Sequence, residues 1–365
     1  MTEPEVRQEK LPASKDVIEV APGVLRLQLP IELPGLRHVN CYAILDSDGV
    51  TLVDPGIPGP QSWNALNKRL AQAEIAIERV HTILITHSHP DHYGNAMRIR
   101  ETSNAQIVTH RAFHTLHQAA HVCFIGDCDD PEHVHPEDGQ NVGDMSMARG
   151  FDQPAPWGGL WSPQYSNPEL RKSRTEMLVD EGWALPRPTV RVRNCEALPV
   201  GDGGWSVVHT PGHTIDHLCF FHAETGAIVT GDHVLPTITP HISGQHGGPN
   251  PLSEFFSSLH LIAALPGVGL GLPAHGGVIA DVPTRCADIV EHHHGRMRIL
   301  AAVGDAQGWT DIPGFSLHLF RPERQGSMAD SETYAHIAYL EASGHATRRI
   351  RDDGAHEFLV TGAGV

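Results

Sequence analysis

An α+β fold with an inserted segment and a small C-terminal module is what the sequence predicts, on three observations. Short β-type runs alternate with helical stretches up to about residue 121 and resume near residue 205. Between them, residues 122–190 hold eight of the 28 prolines and three of the six tryptophans, which breaks the alternation. Past residue 280 the pattern changes again, to helices followed by a single hairpin. The 365 residues, 40% hydrophobic and 19% charged, have an ordinary globular balance and suffice for one large domain or two.

Residues 1–16 read as a polar tail. Three β-type runs follow at 23–29, 39–45 and 49–53, punctuated by Gly and Pro, the last ending in Asp54-Pro55-Gly56. Trp63, Leu66, Leu70 and Ala73 recur at three and four, so the spacing predicts an amphipathic helix over 62–76 with Ser62 as its N-cap. A buried strand at 80–85, a helix at 95–101, a strand at 106–109 and a helix over 112–121 continue the alternation. The stretch 122–190 reads as a lid-like insertion carrying substrate-contacting loops. Strands resume at 205–210, 218–222 and 227–230, with a further apolar run at 268–272. Helices over 287–303 and 331–342, then a hairpin of 346–350 with 357–360 around Asp353-Gly354, resemble a winged helix and place a small domain at 281–365. The main domain then spans 17–280.

Charge narrows the function. Twenty-six Lys and Arg against 43 Asp and Glu leave a net charge of −17, which repels polyanions and supplies no basic field for nucleic acid. The insertion has five basic against twelve acidic residues and the C-terminal module eight against twelve, so neither offers a surface for a nucleic-acid strand. No apolar run approaches the roughly 20 residues of a membrane-spanning helix, and the polar first residues lack the core of a signal peptide. The expectation is a cytoplasmic protein without a membrane partner, and homo-oligomerisation is left open. Six cysteines with no CxxC pair fit reduced thiols. The anomaly is histidine, 27 in one chain, which directs attention to metal ligands.

The strand at 80–85 runs directly into Thr86-His87-Ser88-His89-Pro90-Asp91-His92. Four potential ligands this close cannot share one face of a strand or helix, but a loop can converge them. His87 and His89, two apart, can face one metal, while Asp91 and His92, at the start of a helix, can face a second. His213, Asp232 and His275 occupy similar positions, each just after an apolar strand, in Thr210-Pro211-Gly212-His213, Thr230-Gly231-Asp232 and Pro273-Ala274-His275-Gly276. Loops at one edge of the sheets would bring all seven together.

With H-x-H-x-D-H, a later His, an Asp and a final His in this order, residues 20–280 resemble the metallo-β-lactamase superfamily. The resemblance implies an αββα sandwich with a binuclear metal centre at the loop edge. It implies that His87, His89 and His213 hold one metal, that Asp91, His92 and His275 hold the other, and that Asp232 bridges them. It also matches Asp54 to a buried carboxylate behind the ligands that orients the histidine loop. Nitrogen and oxygen donors make two Zn²⁺ the default, and such a mixed site also takes Fe or Mn. Open positions on both ions would leave room for a metal-activated hydroxide, oriented by Asp91, and for a polarised electrophile.

The run 235–241 follows Asp232 closely and is expected to line the pocket, with His241 as a substrate contact or leaving-group donor. His292-His293-His294 falls within a helix and reads as a solvated face, the acidic stretch 127–135 as a hydrated turn, and Cys41 and Cys219 as core residues. Tyr165 and the tryptophans of the insertion could wall the acyl pocket or simply pack in the core. The superfamily includes thioesterases of the glyoxalase II type, lactonases, β-lactamases, and nucleases, one subgroup of which carries a winged-helix-like C-terminal domain. Charge therefore ranks the readings: hydrolysis of a small ester, thioester or lactone first, and metal-dependent phosphodiesterase or endoribonuclease activity second.

Overall fold

Hydrogen bonding gathers the fifteen described strands into three sheets in the computed structural model, which describes residues 7–33, 35–114, 155–158, 185–245 and 250–362. The first sheet has seven strands in chain order: β1 (Val17–Ala21), β2 (Val24–Leu33), β3 (Leu36–Leu45), β4 (Val50–Val53), β5 (Val80–Leu84), β6 (Gln106–His110) and β7 (Val190–Val192). It is antiparallel from β1 to β4 and parallel from β4 to β7. The second has the order β12 (Leu270–Pro273), β11 (Ala227–Gly231), β10 (Leu218–His222), β9 (Trp205–His209) and β8 (Ala197–Leu198).

Alternating side chains of these strands serve different layers. Val53, Leu84 and Val108 of the first sheet share a core with Val207, Leu218, Phe220 and Val229 of the second. Their neighbours Leu52, Ile83 and Ile107 face outward onto α1 (Pro60–Gln72) and α3 (Ala96–Ser103), through Leu66, Leu70 and Ile99. Val208, Cys219, Phe221 and Ile228 face the opposite way, onto α4 (Pro251–Ala263) and α5 (Val282–Gln307). Three apolar layers thus define helix, sheet, sheet, helix, and the mixed α+β sandwich matches the sequence expectation.

The third sheet pairs β13 (Thr310–Asp311), β15 (His356–Val360) and β14 (Ala346–Ile350) beside α5, α6 (Ile312–Leu319) and α7 (Ser327–Ala342). Phe256 of α4 meets Tyr339 of α7 edge-on with ring centres 5.4 Å apart, so these helices join the outer layer of the sandwich.

Several expectations change. The first long helix starts at Pro60, not Ser62: Gly59 takes the preceding position, and the buried Ser62 hydroxyl instead accepts from Asn95 Nδ2 at 3.1 Å. β1, α4 and α6 were not anticipated. Residues 111–114 form a turn, and the rest of the expected helix over 112–121 lies outside the described residues, as do the acidic stretch 127–135, Tyr165, Trp161 and Trp183. Trp157, which is described, is buried with its ring 5.3 Å from that of Tyr334. Cys41 and Cys219 are buried core residues.

The His292–His294 triplet is not a uniformly solvated face. His293 is fully buried, because its position on α5 faces α7, and its Nδ1 lies 2.9 Å from His336 Nε2. The His336 Nδ1–H donates to the Glu332 carbonyl at 2.7 Å, so the pair forms a directed chain of neutral rings. Burial, then Arg296, pushes the His336 pKa down to about 4. The unfolded chain binds this proton near pH 6.5 and the native chain does not, so stability falls as pH drops through the interval between the two values. Urea titrations should show a loss approaching roughly 3 kcal/mol by pH 4 from this group. His336→Leu should flatten that slope; an unchanged slope would remove His336 as its source.

Candidate metal centre

The residues that could hold metal all follow strand ends at one edge of the two sheets. β5 ends at Leu84 and leads through Thr86 to His87 and His89; Pro90 then opens the short helix α2 (Pro90–Tyr93), which carries Asp91 and His92 in its single turn. β11 ends at Gly231, before Asp232, and β12 at Pro273, before His275. His213 sits in the loop after β9. Gly231 has φ of 51°, and a Cβ there would lie 2.6 Å from His217 Nε2, so only glycine lets the turn into Asp232 pass that ring.

The structure brings all seven expected side chains together. One donor atom from each of His87, His89, His213 and Asp232 lies within 4.8 Å of the others, and Asp91, His92 and His275 form a second such group. His213 Nε2 and His92 Nε2 are both 3.7 Å from Asp232 Oδ2, and His275 Nε2 is 3.2 Å from Asp232 Oδ1. Asp232 thus stands between the groups. His275 and His92 also approach Asp91 Oδ2, at 3.5 and 3.6 Å.

Hydrogen bonds on the far side of each ring decide which nitrogen faces inward. His92 Nδ1–H donates to Asp54 Oδ2 at 2.8 Å, His213 Nδ1–H to the His241 carbonyl at 2.8 Å, and His275 Nδ1–H to the His38 carbonyl at 2.6 Å. The Thr86 hydroxyl donates to Asp54 Oδ2 at 2.7 Å and so accepts from His87 Nδ1 at 3.0 Å. Four Nε2 atoms are therefore directed at the centre, joined by His89 Nδ1, 2.9 Å from His87 Nε2 and 3.3 Å from His213 Nε2. Donors about 2.0–2.1 Å from a tetrahedral ion stand roughly 3.3 Å apart, which these separations match. His92 Nε2, His275 Nε2 and Asp232 Oδ1 are buried without a hydrogen-bond partner among the described residues. Buried polar atoms of this kind are costly unless a cation meets them, so the residues fit divalent metal.

The electrostatics divide the rings: burial lowers His92 and His275, but Asp91, Asp54 and Asp232 outweigh it at His92 and raise it well above the usual histidine range, and Asp232 raises His275, so these two hold positive charge that a bound cation would replace. Burial, reinforced by neighbouring imidazoles, pushes His87 and His89 well below the usual histidine range and so keeps them unprotonated. Burial opposes ionisation of Asp232, but His275 and His92 outweigh it and hold the carboxylate well below its usual range.

Asp54, buried at the end of β4, has φ of 51°, a left-handed conformation that Asp tolerates better than most residues. Its Oδ1 accepts the Thr86 N–H at 2.9 Å, so one carboxylate fixes both the start of the histidine loop and the His92 ring. Asp54→Ala is expected to weaken metal binding about 10- to 100-fold, read by competition with a chromophoric chelator. Unchanged affinity would show that the loop holds itself.

Three contributors escaped the sequence reading. His217 accepts the Asp232 N–H on Nε2 at 3.2 Å and donates from Nδ1 to Thr210 Oγ1 at 2.8 Å, anchoring the backbone of the central Asp. His38 accepts the Gly276 N–H at 2.9 Å and donates to the Leu11 carbonyl at 2.8 Å. Glu332 of α7 faces His241 Nδ1 at 3.4 Å and forms a close ion pair with Arg296. Spacing alone flags none of them, since each depends on how distant strands and helices pair. His241 itself lies beside the centre through its carbonyl, and its Nε2 is buried without a partner among the described residues.

Comparison with known proteins identifies the fold family. Residues 34–279 match the family model of the metallo-beta-lactamase superfamily. A metallo-beta-lactamase family protein of Thermus thermophilus is 26% identical with a TM-score of 0.67, covering 94% of this chain and 100% of that one. A beta-lactamase domain protein from Burkholderia ambifaria shares the fold at 24% identity and a TM-score of 0.72, covering 97% of each chain. Lactamase-like protein nscB of Neosartorya fischeri is 40% identical over 96 residues, 26% of this chain and 27% of its own length. Lactamase-like protein vrtG of Penicillium aethiopicum is 33% identical over 134 residues, 36% and 40% of the two lengths. The matched stretches thus span about a quarter to two fifths of these curated relatives.

Proposed function

Because the chain belongs to the metallo-beta-lactamase superfamily of metal-dependent hydrolases, we propose that it is a binuclear enzyme that cleaves a small ester, thioester or lactone. The observation that carries the reading is Asp232, set between two groups of inward-facing donors. His87, His89 and His213 would hold one ion, Asp91, His92 and His275 the other, and Asp232 both. Zinc suits these nitrogen and oxygen donors, as Fe or Mn also would. Such cations, when bound, would supply Lewis acidity and a nucleophile near neutral pH.

The chain's own residues provide the rest. Asp91, whose Oδ2 lies within 3.6 Å of His92 and His275, would orient the nucleophile. His241, whose carbonyl accepts from His213 Nδ1, would contact the substrate or give a proton to the leaving group. Burial works against ionisation of Glu332, but Arg296 and His241 outweigh it and hold its carboxyl well below the usual range, so it can orient the His241 ring as an anion. Residues 281–365, read as a winged-helix-like domain, would in this way supply one wall of the pocket. A net charge of −17 favours a small acyl substrate over RNA. No helix among the described residues is long and apolar enough to cross a membrane.

The test is a parallel assay of metal-replete protein on an acyl thioester series, a lactone series and a single-stranded RNA. Acyl turnover should fall at least about 100-fold in Asp91→Ala, the scale of a lost positioning or general acid–base group. RNA cleavage with the acyl substrates untouched would overturn the reading.

A further inference from the structure

On the outer face of α1, away from the histidine loop, a cavity of about 960 Å³ opens between that helix, the β2–β3 hairpin and residues 10–15. Its lining carries Lys10, Lys15, Arg37, Lys68 and Arg69 against one acid, Glu32. Three of the chain's four lysines therefore meet in one concavity of a protein whose net charge is −17. None of the five cations lies within salt-bridge distance of a carboxylate among the described residues. Five like charges gathered against a single carboxylate repel one another, and Arg69, the one buried cation among them, bears most of the cost.

Arg69 sharpens the point. Its side chain is only 7% exposed, Nη1 donates to the Ala65 carbonyl at 3.1 Å, and Nη2 donates to the Ser14 carbonyl at 2.7 Å. Its Nε is buried with no hydrogen-bond partner among the described residues. A buried guanidinium held by carbonyls alone keeps an uncompensated charge, which an anion in the cavity would offset. Gln61 and Asn64 on the same wall add amide donors and acceptors.

We propose that this cavity is a binding site for a small molecule carrying two or more phosphate groups. Five cations on three separate segments can engage more than one anionic group at once, which a single carboxylate would leave unused. The volume is that of a small-molecule site. The concave shape and the acidic remainder of the chain disfavour an extended polyanionic surface such as a bilayer or a nucleic acid.

Fructose 1,6-bisphosphate, titrated calorimetrically into the full chain, tests the site, with fructose as the uncharged control and phosphatidylserine vesicles as the lipid arm. One bisphosphate should bind per chain, and the affinity should fall steeply as salt rises from about 0.1 to about 1 M, where the screening length shrinks from about 10 to about 3 Å. Lys10→Glu combined with Lys68→Glu, both exposed changes, should weaken binding about 100-fold, since each charge-assisted contact is worth roughly tenfold. Binding should survive Asp232→Ala, which separates this cavity from the metal centre. Any of four results would overturn the proposal: no binding at millimolar bisphosphate, equal affinity in the double variant, loss of binding in Asp232→Ala, or binding to the vesicles alone.

Discussion

Asp232→Ala is expected to abolish turnover and to lower the metal content of the purified protein by at least one ion per chain. This carboxylate faces both donor groups, with one oxygen 3.7 Å from His213 Nε2 and His92 Nε2 and the other 3.2 Å from His275 Nε2. Removing it leaves five imidazoles and one carboxylate around a space that would hold four positive charges. The electrostatic stabilisation lost should exceed about 4 kcal/mol, or about 1,000-fold in rate. Elemental analysis and steady-state rates check both halves together. A variant that keeps two metals and more than a tenth of the activity would show that Asp232 does not join the two groups.

Chelator treatment of the intact protein should lower its thermal midpoint by about 5–10 °C, with recovery on adding zinc. A ligand present at about 1,000 times its Kd stabilises the native state by about 4 kcal/mol, and larger chains lose only a few degrees per kcal/mol. The structural reason is that His92 Nε2, His275 Nε2 and Asp232 Oδ1 are buried polar atoms without hydrogen-bond partners among the described residues, so bound cations would repay their desolvation. Differential scanning calorimetry of stripped and reloaded protein settles the matter. Identical midpoints would mean that the fold carries the empty cluster without cost.

Much of the candidate centre was legible because the residues that could hold metal are either contiguous, as in 87–92, or placed directly after apolar runs, as at Asp232 and His275. The supporting groups were not. Nothing around His217 marks it, because its task of accepting the Asp232 N–H exists only once β10 and β11 are paired. Glu332 acts from 91 residues beyond His241, on a helix whose packing the local pattern does not reveal. Other misses were avoidable. Asn250 before Pro251, with Leu252, Phe255, Phe256, Leu259 and Ile262 at helical spacing, announces α4, and the Asn250 side chain does accept the Ser253 N–H at 3.3 Å. The His292–His294 triplet also shows the limit of composition: three adjacent helical residues point three ways, so one of them could face the core, and His293 does.

The contacts that brace the metal centre join parts of the chain made at very different times. His275 leans on the His38 carbonyl across 237 residues, Glu9 of the first turn holds Thr237 across 228, and Glu332 reaches His241 across 91. A ribosome has therefore passed residue 332 before all of these braces can close. Fragments ending before α7 present the H-x-H-x-D-H loop without its full frame, and such long-range closure is slow. An ion that entered before α7 had docked would meet donors whose brace between His241 and Glu332 is not yet in place.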